Sequence, residues 1–262
     1  MMESLAVVRT ALEGAQTQMD VISNNLANIN TPGFKASRAV FEDLLYQDAT
    51  QPGGFTSLAT NYTSGLQRGT GANVVATEPI MTQGNMEQTG NALDLAINGQ
   101  GYFQILLPTG QVAYTRDGSF QLNAQSQIVT ANGYQLQPPV TLPRNSQSIT
   151  IGTDGTVSVL VQGQTNMQQV GRIQLANFVN SAGLQNTGNN LALQTQASGA
   201  PVIGQPTSNG LGSVSQGYLE GSNVQVVDEM IDMIQTQRAY EMDTQAAKSV
   251  DQMLSFLNNA GQ

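Results

Sequence analysis

The chain has 262 residues, with 9 Lys and Arg against 18 Asp and Glu for a net charge of −9, and it has no Cys, His or Trp. That length makes one or two domains with cores of their own. Disulfide frameworks, thiolate or imidazole zinc sites, cysteine nucleophiles and Ser-His-Asp triads are all excluded.

The 32 Gln and 22 Asn outnumber the 27 charged residues two to one, so the surface owes its polarity chiefly to uncharged amides. The negative charge and the absence of a basic patch argue against nucleic acid, which is held through Lys and Arg at phosphates. Met1-Met2-Glu3-Ser4 has neither the positive nor the sustained apolar stretch of a cleaved leader. No run approaches the roughly 18 apolar residues of a membrane span, so neither a cleaved signal nor membrane insertion is expected.

From the N-terminus, Leu5, Leu12, Met19 and Leu26 recur every seven residues, with Val8, Ala15, Ile22 and Ile29 three positions later. This a/d stripe predicts an amphipathic, coiled-coil-like helix. The helix should stop within Asn28 to Gly33, where Asn tolerates left-handed backbone, Pro32 pushes Thr31 out of the helix and Pro-Gly suits a turn. Residues 36–91 follow as an extended connector with few regular elements, marked by Gln51-Pro52-Gly53-Gly54.

Strand-like runs come next: Tyr102 to Leu107, Gln111 to Arg116, Ser148 to Ile151, Thr156 to Val161 and Val170 to Val179. Pro108-Thr109-Gly110, Asp117-Gly118, Asn132-Gly133 and Asp154-Gly155 read as turns, so 92–195 is expected to be a compact all-β domain. A second connector, 196–221, carries Ser198-Gly199-Ala200-Pro201.

Ser222 with Gln225 resembles a capping box that opens a last helix, along which Val227, Ile231 and Ile234 step by three and four. The apolar face then shifts to Ala239, Ala246 and Met253 with Val250 and Leu257 alongside, which predicts a seam that changes neighbours along its length. The expected fold class is α+β. Terminal α-helices (1–35 and 222–262) pair as a coiled-coil-like domain, joined by the extended connectors to the all-β outer domain. Ordering one such helix costs more backbone entropy than a single stripe returns on burial, so the helices are expected to need partners.

Several of these segments carry a resemblance. Asn24-Asn25-Leu26-Ala27-Asn28-Ile29-Asn30-Thr31-Pro32-Gly33-Phe34-Lys35, at the end of the first helix, is similar to the signature of the bacterial flagellar rod and hook axial proteins. Phe41 to Gln47, Gly99 to Phe103, Tyr114 to Phe120 and Gln237 to Glu241 follow in the family's order. The resemblance implies a structural subunit of a hollow helical shaft, with the terminal helices lining the inner tube and the β domain outside. The second motif and the total length place the likeness nearest the distal segment of the rod, where the shaft transmits torque from motor to hook.

It further implies that the chain polymerises with itself, meets proximal rod proteins, the hook protein and the surrounding P- and L-ring proteins, and leaves the cell through the flagellar type III export apparatus. The connector from Asp48 to Leu66 would help stiffen the rod. Arg238, among apolar positions of the last helix, is expected either to pair with a carboxylate or amide of a neighbouring chain or to snorkel at the surface.

Other functions are weaker. Asp94, Asp117 and Asp154 are candidate glycosidase carboxylates, but Asp117 and Asp154 each precede Gly, where turn chemistry accounts for them. Gly99-Gln100-Gly101 lacks the third glycine and the helix of a dinucleotide loop. Hence neither catalysis nor a cofactor or metal is expected. A hook or proximal-rod subunit, or a carbohydrate-binding or adhesin β module, remains as the alternative, the last leaving both terminal stripes without a purpose.

Overall fold

The computed structural model describes residues 2–50, 55–57, 60–61, 63–164 and 166–260, with side chains described in 5–50, 63–164, 166–253 and 255–256. The chain divides into two compact units, one of residues 1–26, 37–78 and 225–262 and one of residues 27–36 and 79–224. The expected connectors are thereby shared out, 37–78 with the terminal helices and 79–91 and 196–221 with the β region. Both connectors are richer in regular structure than expected.

The helical unit contains α1 (Met2–Ala27) and α2 (Val226–Ala260). Between them in sequence, Ser37–Asp43 pairs with Ala72–Pro79, and further out Gln47–Thr50 pairs with Leu66–Arg68. Gln51 to Gly54 lie outside the described residues. Gly14 of α1 receives the ring of Phe41, and Gly71 lies against Thr10, so small residues let the paired strands approach the helix closely. The start of α2 falls four residues beyond Ser222, whose Oγ instead accepts the Val224 N–H at 3.3 Å.

At the end of α1, the Asn25 amide is buried and fully used. Its Oδ1 accepts the Ser37 N–H at 2.9 Å, and its Nδ2 donates to the Ser37 carbonyl at 2.9 Å and to Glu229 Oε1 of α2 at 3.0 Å. Thus one amide joins the last turn of α1, the first strand and the first turn of α2. Burial pushes the Glu229 carboxyl above its ordinary value of 4.5, and the nearby Asp232 and Asp228 push the same way against the Asn25 bond.

The second unit is antiparallel throughout its named strand pairs. A nine-stranded sheet runs in the order 120–122, 128–130, 135–137, 102–106, 112–115, 191–193, 185–188, with 175–177 joining 102–106 and 202–204 joining 175–177. A three-stranded sheet is formed by Ser146–Ile151, Thr156–Val161 and Gln168–Arg172. Leu95, Ile97, Phe103, Ile105, Phe120, Leu136, Val157, Val159, Ile173 and Leu175 make one continuous core. The expected strand Val170 to Val179 is two strands, since Ile173 leaves the ladder to enter that core.

Asp117-Gly118 is no hairpin turn. A Cβ on Gly118 would stand 1.6 Å from the Leu95 carbonyl oxygen, and Leu95 N–H donates to the Gly118 carbonyl at 3.0 Å, so the glycine is a close backbone crossing. Gly33 is similar: it holds φ +70°, and a Cβ there would lie 2.7 Å from the Arg116 backbone. The Gly33 N–H is thereby brought to the Glu220 carbonyl at 2.7 Å.

The Glu220 side chain is 1% exposed and is held by charge on two sides. Lys35 Nζ lies 2.6 Å from its Oε1 and Arg116 Nη1 3.2 Å from its Oε2, both cationic side chains being only 9% exposed. The Gly84 N–H also donates to Oε1 at 3.1 Å, and Lys35 donates to the Thr82 carbonyl at 2.8 Å. Arg116 Nε is buried without a hydrogen-bond partner, and the guanidinium lies over the Tyr102 ring at 5.3 Å. Burial holds Lys35 below the ordinary lysine value, with Glu220 opposing.

Removing one partner of a buried ionic cluster strands the others, at a cost of about 3–5 kcal/mol. Glu220→Gln is therefore expected to lower unfolding stability by about 3 kcal/mol in denaturant melts; a loss of under about 1 kcal/mol would show the carboxylate to be dispensable. For Glu229 the folded group takes up its proton at higher pH than the unfolded one, so its penalty is present at neutral pH and relieved as pH falls through the raised value toward 4.5. Glu229→Gln, which keeps an acceptor for Asn25, should melt higher than the parent at neutral pH, and the difference should shrink as pH falls and vanish below pH 4.5; a difference independent of pH would contradict this.

Candidate assembly surface

The two terminal helices present their expected stripes in opposite ways. On α1, Ile22 is buried and Leu5, Val8, Leu12, Ala15, Met19 and Leu26 are half-buried. Leu5, Val8 and Leu12 share a cleft with Ala247 of α2, so part of this stripe is covered within the chain. Ile29 falls beyond the last helical residue, Ala27, and lies half-buried in the turn that follows.

On α2 the stripe faces outward. Val227 is 70% exposed, Ile231 47%, Ile234 53% and Met253 54%, and Arg238 and Ala246 are exposed with them. Val250 is half-buried, and the Leu257 side chain lies outside the described residues. Val226, Met230, Met242 and Phe256 widen the exposed apolar surface. The face of α2 turned toward α1 is instead small or polar: Asp232, Thr236, Ala239 and Asp243 line a cleft with Thr10, Ala11, Gly14, Ala15 and Gln18 of α1.

An amphipathic helix ordinarily buries its apolar face and shows its polar one. This helix leaves its apolar stripe exposed within its own chain, along with most of its polar residues, and contiguous exposed apolar surface marks an interaction site. Sequence reasoning found both stripes and expected the second to change neighbours along its length, but not which way either one turns in a single chain. It did not mark as contact surface Leu45 and Tyr46, in the link between two strands after α1, Leu66 on the strand paired with the second of these, Val179 just past strand 175–177, or Val202 and Ile203 on the strand paired with it, all exposed. No periodic signal announces these six.

The signature from Asn24 to Lys35 does its work inside each unit. Asn24 is exposed, Leu26 is half-buried and Ala27 ends the helix. Asn25 is spent on Ser37 and Glu229; the Asn28 carbonyl accepts the Thr31 N–H at 3.1 Å and its Oδ1 accepts the Thr31 hydroxyl. The Pro32 carbonyl accepts the Asn190 amide at 3.4 Å, Phe34 N–H donates to the Thr31 carbonyl, and Gly33 and Lys35 meet Glu220. These residues end a helix and fasten a loop. The candidate carboxylates are spent on turns too: Asp94 accepts the Asn91 amide, Asp117 the Ser119 N–H, and Asp154 the Thr156 N–H and hydroxyl. Those two bonds from Thr156 hold Asp154 below the usual carboxylate range.

Three family models match the chain: "Flagella basal body rod protein" over residues 5–35, "Flagellar hook protein FlgE/F/G D1 domain" over 96–159 and "Flagellar basal body rod FlgEFG protein C-terminal" over 215–260. The chain is 51% identical over 258 residues to the flagellar basal-body rod protein FlgG of Buchnera aphidicola subsp. Acyrthosiphon pisum, covering 98% of this chain and 99% of the relative. It is 46% identical to that of Caulobacter vibrioides, covering 97% of each, and 38% identical to that of Bacillus subtilis, covering 99% of each. With the outward stripe of α2 and the matched ends of both helices, these full-length likenesses place the chain in the FlgG family of flagellar basal-body rod proteins.

Proposed function

We infer that this chain, a structural subunit of the distal rod of the flagellar basal body, polymerises through its terminal helices into a hollow helical shaft that carries torque from motor to hook. The stripe of Val227, Ile231, Ile234 and Met253 carries this reading, because it is apolar, regular and left exposed by the described residues of a single chain. Taking an Ile from full exposure to burial is worth about 1.5–3 kcal/mol, so half-exposed Ile231 and Ile234 each contribute roughly half of that. Such gains are modest at one contact and add up along a polymer.

No chemistry is assigned to any residue. Amide groups suit the lateral contacts of such a lattice, since they hydrogen-bond without the desolvation cost of buried ions. The chain leaves the cell through the flagellar type III apparatus and crosses the periplasm as part of the rod. Its neighbours there are proximal rod proteins, the hook protein and the P- and L-ring proteins, and the segment from Asp48 to Leu66 stiffens the shaft. Leu5, Val8, Leu12 and their companions on α1 join the contact where they stay half-exposed.

Ile234→Asp separates folding from assembly. Because Ile234 is already exposed, the full-length variant should keep its helix content and melting temperature, yet cells carrying it alone should lack rods and fail to swim. Normal rods in electron micrographs of basal bodies from such cells would overturn the reading.

A further inference from the structure

On α2 the cation and the carboxylates that could satisfy it stand on different faces. The Arg238 guanidinium, on the exposed stripe with Ile231 and Ile234, makes no hydrogen bond or ion pair among the described residues. Asp232 and Asp243, at the cleft between α2 and α1, have carboxylates with no cationic partner among the described residues. At 100° per residue Arg238 lies about 120–140° around the helix from either aspartate, out of reach on the same helix.

The cleft has the shape its charges call for. Small residues, Ala11, Ala15, Thr236 and Ala239, line it together with the Phe41 ring that covers Gly14, and its volume of about 440 Å³ is more than one side chain fills. At 1.5 Å per residue, Asp232 and Asp243 frame it about 16 Å apart along the axis, while Ile231 to Arg238 spans about 10 Å. A stripe of that length sets both isoleucines on the small-residue floor with the guanidinium at one framing carboxylate.

We propose that the occupant of this cleft is the α2 stripe of a second copy of the chain, with Arg238 of one copy paired to Asp232 or Asp243 of the next. Donor stripe and acceptor cleft are different faces, so the contact runs head to tail and leaves a free stripe and a free cleft at the ends, which is the condition for an open helical polymer rather than a closed dimer. The apolar pair supplies attraction and the charge fixes register, since a guanidinium–carboxylate contact is directional and like charges across a contact are rejected. The inference rests on the reading that the chain polymerises through its terminal helices.

The test uses full-length chains in cells lacking their own copy, scored by rods in isolated basal bodies and by swimming. Arg238→Glu alone, and Asp232→Lys with Asp243→Lys, should each cut rod number roughly tenfold or more with folded protein still made. Combining all three changes in one chain should restore rods, and so should co-producing the two defective chains, which then alternate. If both variants assemble like the parent, or if each is defective but neither combination restores rods, Arg238 meets another partner and the pairing is wrong. Ile234→Asp distinguishes that failure from failure of the polymer itself: blocked rods with an unaffected Arg238→Glu sink only the pairing, whereas normal rods with Ile234→Asp sink both.

Discussion

A single buried carboxylate organises the β unit. Glu220 draws in Lys35, Arg116 and the Gly84 N–H, residues from three separate stretches of chain, and its own carbonyl holds Gly33. An ion of this kind is an unsafe source of net stability, because the desolvation of three charges offsets their attraction. What it supplies is definition: both cations are held against the one buried carboxylate, and the loop after α1 is fixed with Lys35. The wholly apolar core beside it can then be packed from Leu, Ile, Val and Phe without having to specify where the chain begins and ends its path.

The α+β class, both terminal helices and the principal strands were legible because their signals are periodic. Heptad spacing marked α1 to within two residues of its end, and Thr156–Val161 reads as a strand because β-branched residues dominate it. The misreadings share a cause. Asp117-Gly118 has the composition of a hairpin turn, but the glycine answers to Leu95, a residue more than twenty positions away. Ser222 and Gln225 have capping-box spacing, yet the serine closes a local turn and the helix begins later. The segment 37–78 reads as a connector because its strands are mostly exposed on both faces, which removes the alternation that betrays a strand.

The candidate assembly surface was half legible. Periodicity revealed that α2 has an apolar stripe, but periodicity is blind to whether a stripe points in or out. The inner face of α2 settles it by being unsuited to a core: Thr236 is buried with its hydroxyl returned to the Asp232 carbonyl, and Asp232 and Asp243 stand at a cleft with no cation. Family resemblance supplied the setting in which an outward stripe makes sense, and the exposures supplied the direction.

The clasp at Glu220 has a mechanical side. Lys35, near the start of the β unit's path, and Glu220, near its finish, are bonded directly to each other. Gly84, where the chain has returned to this unit after residues 37–78, donates to the same carboxylate, so the strands from Met86 to Gln216 form a loop tied off at its neck. Within that loop, hairpins can lengthen or shorten over evolutionary time with the knot itself untouched.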